Sequence, residues 1–182
     1  MKETLSTLGI HFEILKTDIK REDLAYVTVK RDRLLSALFY MKQNLGMKHF
    51  VLLSAVDFIE DNKFQLTYHL NNPEKKFIIA LRVEIDREKA SMESAHTAWP
   101  TIATYQREIK ELYGIDFPGS PRVNEELILE GWDTTPPFRR EFDTLKYSEE
   151  TFFPRPGRFK EDPKTYMKKQ MYGEWKKDEK NV

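Results

Sequence analysis

Seven of the nine prolines fall between Pro118 and Pro163. Proline has no backbone N–H and a fixed φ, so helix interiors and central strands exclude it. The distribution divides the chain. Residues 1–115 are free to build regular elements, whereas residues 116–182 are restricted to short helical pieces and extended stretches. In the second part prolines interleave with aromatics and charges, as in GWDTTPPFRREFD and TFFPRPGRFKEDP, and only PKTYMKKQMYGEWKK near the end has helical patterning. Disordered segments are depleted in aromatics. This one keeps Trp132, Phe138, Phe142, Phe152, Phe153, Phe159, Tyr166, Tyr172 and Trp175. A segment that cannot bury itself yet retains such side chains is expected to be an extended docking arm.

In the first part DLAYVTV (23–29) alternates and is β-branched, which predicts a strand. Residues 30–46 follow as an amphipathic helix with Leu34, Leu35, Leu38, Met41 and Leu45 on one face, Asp32 as a candidate cap and Gly46 as the stop. Three strand-like segments come next, at 49–60, 63–71 and 75–85, joined by turns at 60–62 and 71–74. A second helix is predicted from Trp99 to Tyr113, with an Arg107–Glu111 pair at i,i+4 and Gly114 as its left-handed terminator. The fold class is therefore α+β: an antiparallel sheet of three to four strands packed with two helices over 1–115, followed by the arm over 116–182.

Composition excludes several classes of chemistry. Cysteine is absent, so this chain has no disulfide, thiolate metal site, cysteine-held iron–sulfur cluster or cysteine nucleophile. The 30 basic and 30 acidic side chains cancel, which argues against a polyanion-binding face. The N-terminal MKETLSTLGIHFEILKTD carries charges where a signal peptide needs an apolar run. FVLLSAV and FIIAL are far too short to span a bilayer. The expectation is a soluble, cytoplasmic chain.

Candidate chemical groups are few. His11, His49, His69 and His96 show no metal-ligand spacing. Asp57 interrupts the apolar run VLLSAVDFI, where it is either a general base or a partly solvated hydrogen-bonding anchor, and the anchor is preferred. An enzyme reading would need Asp57 to converge with His49 or His69 in a cleft. Arg107 and Glu108 lie just before the break at Gly114, as a salt-bridging pair or as anchors for a partner. In IDFPGSPR, Pro118 and Gly119 suit the centre of a type II turn better than an anion cradle. A nucleic-acid module built on Lys160, Lys164, Lys168 and Lys169 with Phe159 and Tyr166 is disfavoured by the neutral total charge.

The order AVD (55–57), YHL (68–70), SAHTAWP (94–100), YQREIKELYGIDFPGSP (105–121), Trp132 and PPFRREF (136–142) resembles the 30 kDa, C-type subunit of respiratory complex I. That family is shared with membrane-bound, energy-converting [NiFe] hydrogenases. The chain departs from the pattern at Gln106, Glu111 and Ser120, and RVNEELIL replaces the usual Leu-Arg-Arg. These departures place the resemblance nearer the hydrogenase branch and its archaeal sulfur-reducing relatives, in which ferredoxin is the donor. The Lys and Glu content agrees with a thermophilic source. The resemblance implies a non-catalytic chain without cofactor, peripheral on the cytoplasmic face of the membrane. Its implied partners are a large [NiFe]-hydrogenase-like subunit and iron–sulfur subunits, which carry the clusters and the [NiFe] centre. On this reading Arg107, Glu108, Arg139 and Arg140 supply polar interface contacts. Trp132, Phe138, Phe152, Phe153 and Trp175 supply apolar anchors.

Overall fold

The structure, a computed structural model, describes residues 1–151; Phe152, Phe153 and Trp175 lie outside them. Its elements are α1 (Lys2–His11), β1 (Ile14–Arg21), β2 (Leu24–Val29), α2 (Leu34–Asn44), β3 (His49–Phe58), β4 (Lys63–Asn72), β5 (Phe77–Asp86), α3 (Ile102–Tyr113) and α4 (Thr144–Thr151). Met1–Phe142 forms one compact unit, which runs past the boundary at 115 expected from composition. α4 belongs to a second unit starting at Asp143, whose carboxylate accepts the Leu145 and Lys146 N–H groups as an N-cap.

The α+β class holds, with four helices among the described residues instead of the expected two, and β3, β4 and β5 form the expected antiparallel meander. The sheet differs from expectation in two respects. It has five strands in the order β1-β2-β5-β4-β3, not three to four, and it is mixed, because β2 lies parallel to β5 with Val27 opposite Leu81. The cause is the crossover. α2 carries the chain across the sheet, β3 starts at the far edge, and the meander folds back until β5 meets β2. β1 has no apolar alternation to announce it: six of its eight residues are exposed. It is an edge strand, added through the hairpin that pairs Arg21 with Leu24.

One face of the sheet is dry. Val27, Leu66, Tyr68, Leu81 and Val83 are fully buried there beneath Leu8 of α1, Leu38 of α2 and Ile102 of α3. Asp32 makes no side-chain cap; it sits in a short 3₁₀ turn that precedes α2. The helix expected from Trp99 begins at Ile102, because Trp99 closes a separate turn and donates its indole N–H to Lys48 O at 3.0 Å.

α3 guards the open edge of the sheet. Tyr105 and Tyr113 donate their hydroxyls to Val51 O and Ala55 O of β3, both at 3.1 Å. Eight helical residues rise about 12 Å and four strand residues about 13 Å, so the two spacings match. Free carbonyls on an edge strand would otherwise recruit foreign chains.

The Gly-Pro stretch after α3 forms the turns its residues predict. Gly114 has φ +73° and Gly119 φ +81°, and Ser120 N–H bonds Phe117 O at 3.1 Å, closing a type II turn. The chain does not leave the domain here. Ile115 and Phe117 are fully buried, and Asp116 exchanges backbone bonds with Ala90 and Met92.

Candidate functional site

Asp57 is the penultimate residue of β3 on the dry face, and its side chain is only 2% exposed, so the expected partial solvation is wrong. Arg87, just beyond β5, donates Nε to Oδ1 at 2.8 Å and Nη2 to Oδ2 at 3.1 Å. The Arg140 backbone N–H reaches the same Oδ2 at 2.9 Å, across 83 positions of sequence. Burial pushes the Asp57 carboxyl up. The Arg87 hydrogen bonds, the Arg140 N–H and the charges of Arg87 and Arg139 outweigh it and hold the pKa below the usual carboxylate value. Asp57 is thus an ionised anchor with three donors on its two oxygens, an arrangement that disfavours taking a proton.

The same hub pins the segment from Pro136 to Phe142. Arg87 also pairs with Glu141. Phe138 N–H caps Leu112 O at 3.0 Å, and Arg139 Nε caps Tyr113 O at 2.7 Å, placing a cation at the negative end of α3. The guanidinium groups of Arg87 and Arg139 lie over the Phe64 ring, 5.7 and 5.3 Å from its centroid. Gly114 makes this approach possible, since a Cβ there would stand 3.1 Å from Pro136 Cγ and 3.3 Å from Arg139 Nη2. Gly114→Ala is expected to lose about 1–2 kcal/mol from the left-handed backbone, read by urea unfolding, and to loosen the 136–142 segment.

Arg107 and Glu111 do not pair with each other as the i,i+4 spacing suggested. Arg107 donates Nε to Glu125 O at 2.6 Å and Nη2 to Glu126 O. Glu111 accepts the N–H groups of Leu127, Ile128 and Leu129 at 2.8 to 2.9 Å. Burial raises the Glu111 carboxyl, yet these three donors and the Arg107 charge bring it below its usual value. Unpaired backbone groups compete for charged side chains, and here a loop takes both members of the pair.

The remaining sequence candidates are scattered. Glu108 is half-buried on α3. Trp132 donates its indole N–H to Thr135 O at 3.1 Å and lies 5.5 Å from the Phe142 ring. Phe138 stays 54% exposed while its ring meets Tyr113 edge-on at 5.6 Å. The Arg140 side chain pairs at the surface with Glu60, 3.0 Å away. His49 opens β3 and Asp57 nearly closes it, roughly 26 Å apart at strand rise. His69 lies on the opposite face of the sheet from Phe64 and its partner Asp57. Asp57 therefore does not converge with His49 or His69, the pairing that the stand-alone enzyme reading needs. Arg87 carries no signal of its own in the sequence, although a carboxylate inside an apolar strand implies a nearby cation. Among the described residues no group of three or more His, Asp or Glu could hold a metal ion, and no helix is long and apolar enough to cross a membrane.

Comparison with known proteins agrees with the motif order. The family described as "Respiratory-chain NADH dehydrogenase, 30 Kd subunit" matches residues 27–148. The C subunit of NADH-quinone oxidoreductase from Moorella thermoacetica is 29% identical over 66% of this chain and 80% of its own length. The C subunit of F(420)H(2) dehydrogenase from Methanosarcina mazei is 24% identical over 63% and 73%. Among solved structures, a chain of the membrane-bound sulfane sulfur reductase, an archaeal respiratory membrane complex, superposes with a TM-score of 0.80 at 25% identity, over 89% of this chain and 96% of that one. With the family's motif residues closing on the chain's own backbone as above, this protein belongs to the 30 Kd subunit family of respiratory-chain NADH dehydrogenase.

Proposed function

We propose that the chain is a cofactor-free scaffold subunit in the hydrophilic arm of a membrane-anchored, ferredoxin-dependent redox complex. The complex is a membrane-bound hydrogenase or a related sulfur reductase, on the cytoplasmic face of an archaeal, thermophilic cell membrane. The observation that carries this reading is the inward use of the motif charges. Arg107, Glu111, Arg139 and Asp57 hold the surface segments 125–129 and 138–142 in place through hydrogen bonds to the chain's own backbone. A subunit that spends its charges on shaping a surface is suited to assembly. The likeness to a chain of the sulfane sulfur reductase supports the sulfur-reducing branch.

In this reading Arg140, Glu108, Phe138 and Trp132 meet neighbouring subunits, and the arm beginning after Phe142 runs over them with Phe152, Phe153 and Trp175 as anchors. Electrons pass through iron–sulfur clusters and a [NiFe]-type centre in the partners. A second reading, the equivalent subunit of a quinone-reducing NADH dehydrogenase, is favoured by the Moorella relative.

Purification of the tagged chain from native membranes tests both. A large [NiFe]-hydrogenase-like subunit and cysteine-rich subunits should copurify, and the preparation should accept electrons from reduced ferredoxin. NADH-driven quinone reduction would favour the second reading, and isolation of the chain alone would sink both.

A further inference from the structure

The loop from Arg122 to Gly131 is fastened from behind and bare in front. Both ends turn through left-handed backbone, at φ +57° and +72°. Between them five consecutive residues are gripped by α3: Arg107 takes the carbonyls of Glu125 and Glu126, and Glu111 takes the N–H groups of Leu127, Ile128 and Leu129. These bonds are charge-assisted and reach one short stretch of backbone from two residues a helical turn apart. At the centre of this stretch two apolar side chains face solvent: Leu127 is 37% exposed and Ile128 is 63% exposed. Around them stand the exposed carboxylates of Glu125, Glu126, Glu130 and Asp133, against Arg122 of the loop itself and Arg107 and Lys110 of α3, which bond the loop from behind. Arg122 pairs with Glu125 at 2.6 Å, which leaves the acidic side in excess.

A loop that merely connects two elements has no need of such a grip, and one that serves the core turns its aliphatic side chains inward. Holding the backbone rigid while showing leucine and isoleucine to solvent lowers the ordering cost of a contact made there. The acidic rim selects the occupant. It repels an anionic lipid surface, a nucleic acid and the same loop of a second copy, and it attracts a basic protein surface.

We propose that residues 122–131 form a preformed docking knob that seats Leu127 and Ile128 in an apolar pocket of a neighbouring subunit. Lysine or arginine side chains rim that pocket and face Glu126, Glu130 and Asp133. The inference rests on the subunit reading above and adds to it which surface engages and what chemistry receives it.

The test uses the full-length chain in the complex purified from membranes. A photoactivatable benzoylphenylalanine at position 128 should cross-link to another subunit, within a peptide that carries lysine or arginine. Ile128→Asp should lower retention of the chain in the complex at least tenfold. Glu130→Lys should also weaken retention, and its effect should shrink as salt is raised. The melting temperatures of the free Ile128→Asp and Glu130→Lys chains should match wild type, because both side chains point to solvent. Cross-linking to a second copy or to lipid would overturn the proposal, as would Ile128→Asp chains retained at the wild-type level. These outcomes are separable from failure of the functional reading, in which the wild-type chain itself would not copurify with a redox complex.

Discussion

Asp57→Asn is expected to destabilise the protein by about 3 kcal/mol, the range found when one member of a buried ion pair is removed. The exchange keeps the shape of the side chain and replaces one accepting oxygen with an NH₂ group. That group must face either the Arg87 guanidinium or the Arg140 N–H, both donors. Arg87 is itself largely buried, with its side chain 14% exposed, so it would keep a charge with half its partner lost. Denaturant unfolding should show a lower midpoint at an unchanged slope. The pH dependence gives a second readout. The folded Asp57 carboxyl titrates below its ordinary value of about 4, so its stabilisation is complete above that value and disappears as pH falls through the lower, folded one. Wild type and variant should therefore converge in acid. Arg140→Ala is the control: its backbone N–H remains, and its exposed pair with Glu60 is worth less than about 1 kcal/mol. Equal effects of the two substitutions would refute the hub.

Ending the chain after Phe142 is expected to remove the subunit from its complex while leaving it folded. Met1–Phe142 is one compact unit, closed at its end by the Asp57, Arg87 and Arg139 contacts. Circular dichroism and the melting temperature should therefore stay near those of the full chain. Residues 143–182 carry Phe152, Phe153 and Trp175. If only two of them act as anchors at about 2 kcal/mol each, binding weakens roughly a thousandfold. Quantitative pull-down from solubilised membranes measures this. Copurification of the truncated chain with every other subunit would show that the arm is dispensable.

Legibility from sequence follows the local pattern of burial. The meander β3–β5, helices α2 and α3, the left-handed Gly114 and the turn at Pro118-Gly119 are readable, because each leaves a periodic or stereochemical trace in neighbouring residues. β1 leaves none, since most of its residues are wet. Asp57 is recognisable as an anchor, but its burial depends on Arg87 and on Arg140, 30 and 83 positions away. The helical spacing of Arg107 and Glu111 suggests a pair that does not form, because the loop at 125–129 supplies better partners for both charges.

The amino-acid sequence by itself determined that no thiol chemistry occurs in this chain, that its prolines disfavour central strands and long helices between Pro118 and Pro163, and which family its spaced motifs join. These are properties of composition and order, and they survive any folding. The tertiary structure decided that β2 joins the sheet in parallel, that Asp57 is dry, and that the charged motif holds backbone rather than substrate. The physical reason is range. Side-chain periodicity records what each residue meets a turn or a pleat away, whereas a charge takes whichever partner the finished fold brings within about 3 Å, however distant in the chain.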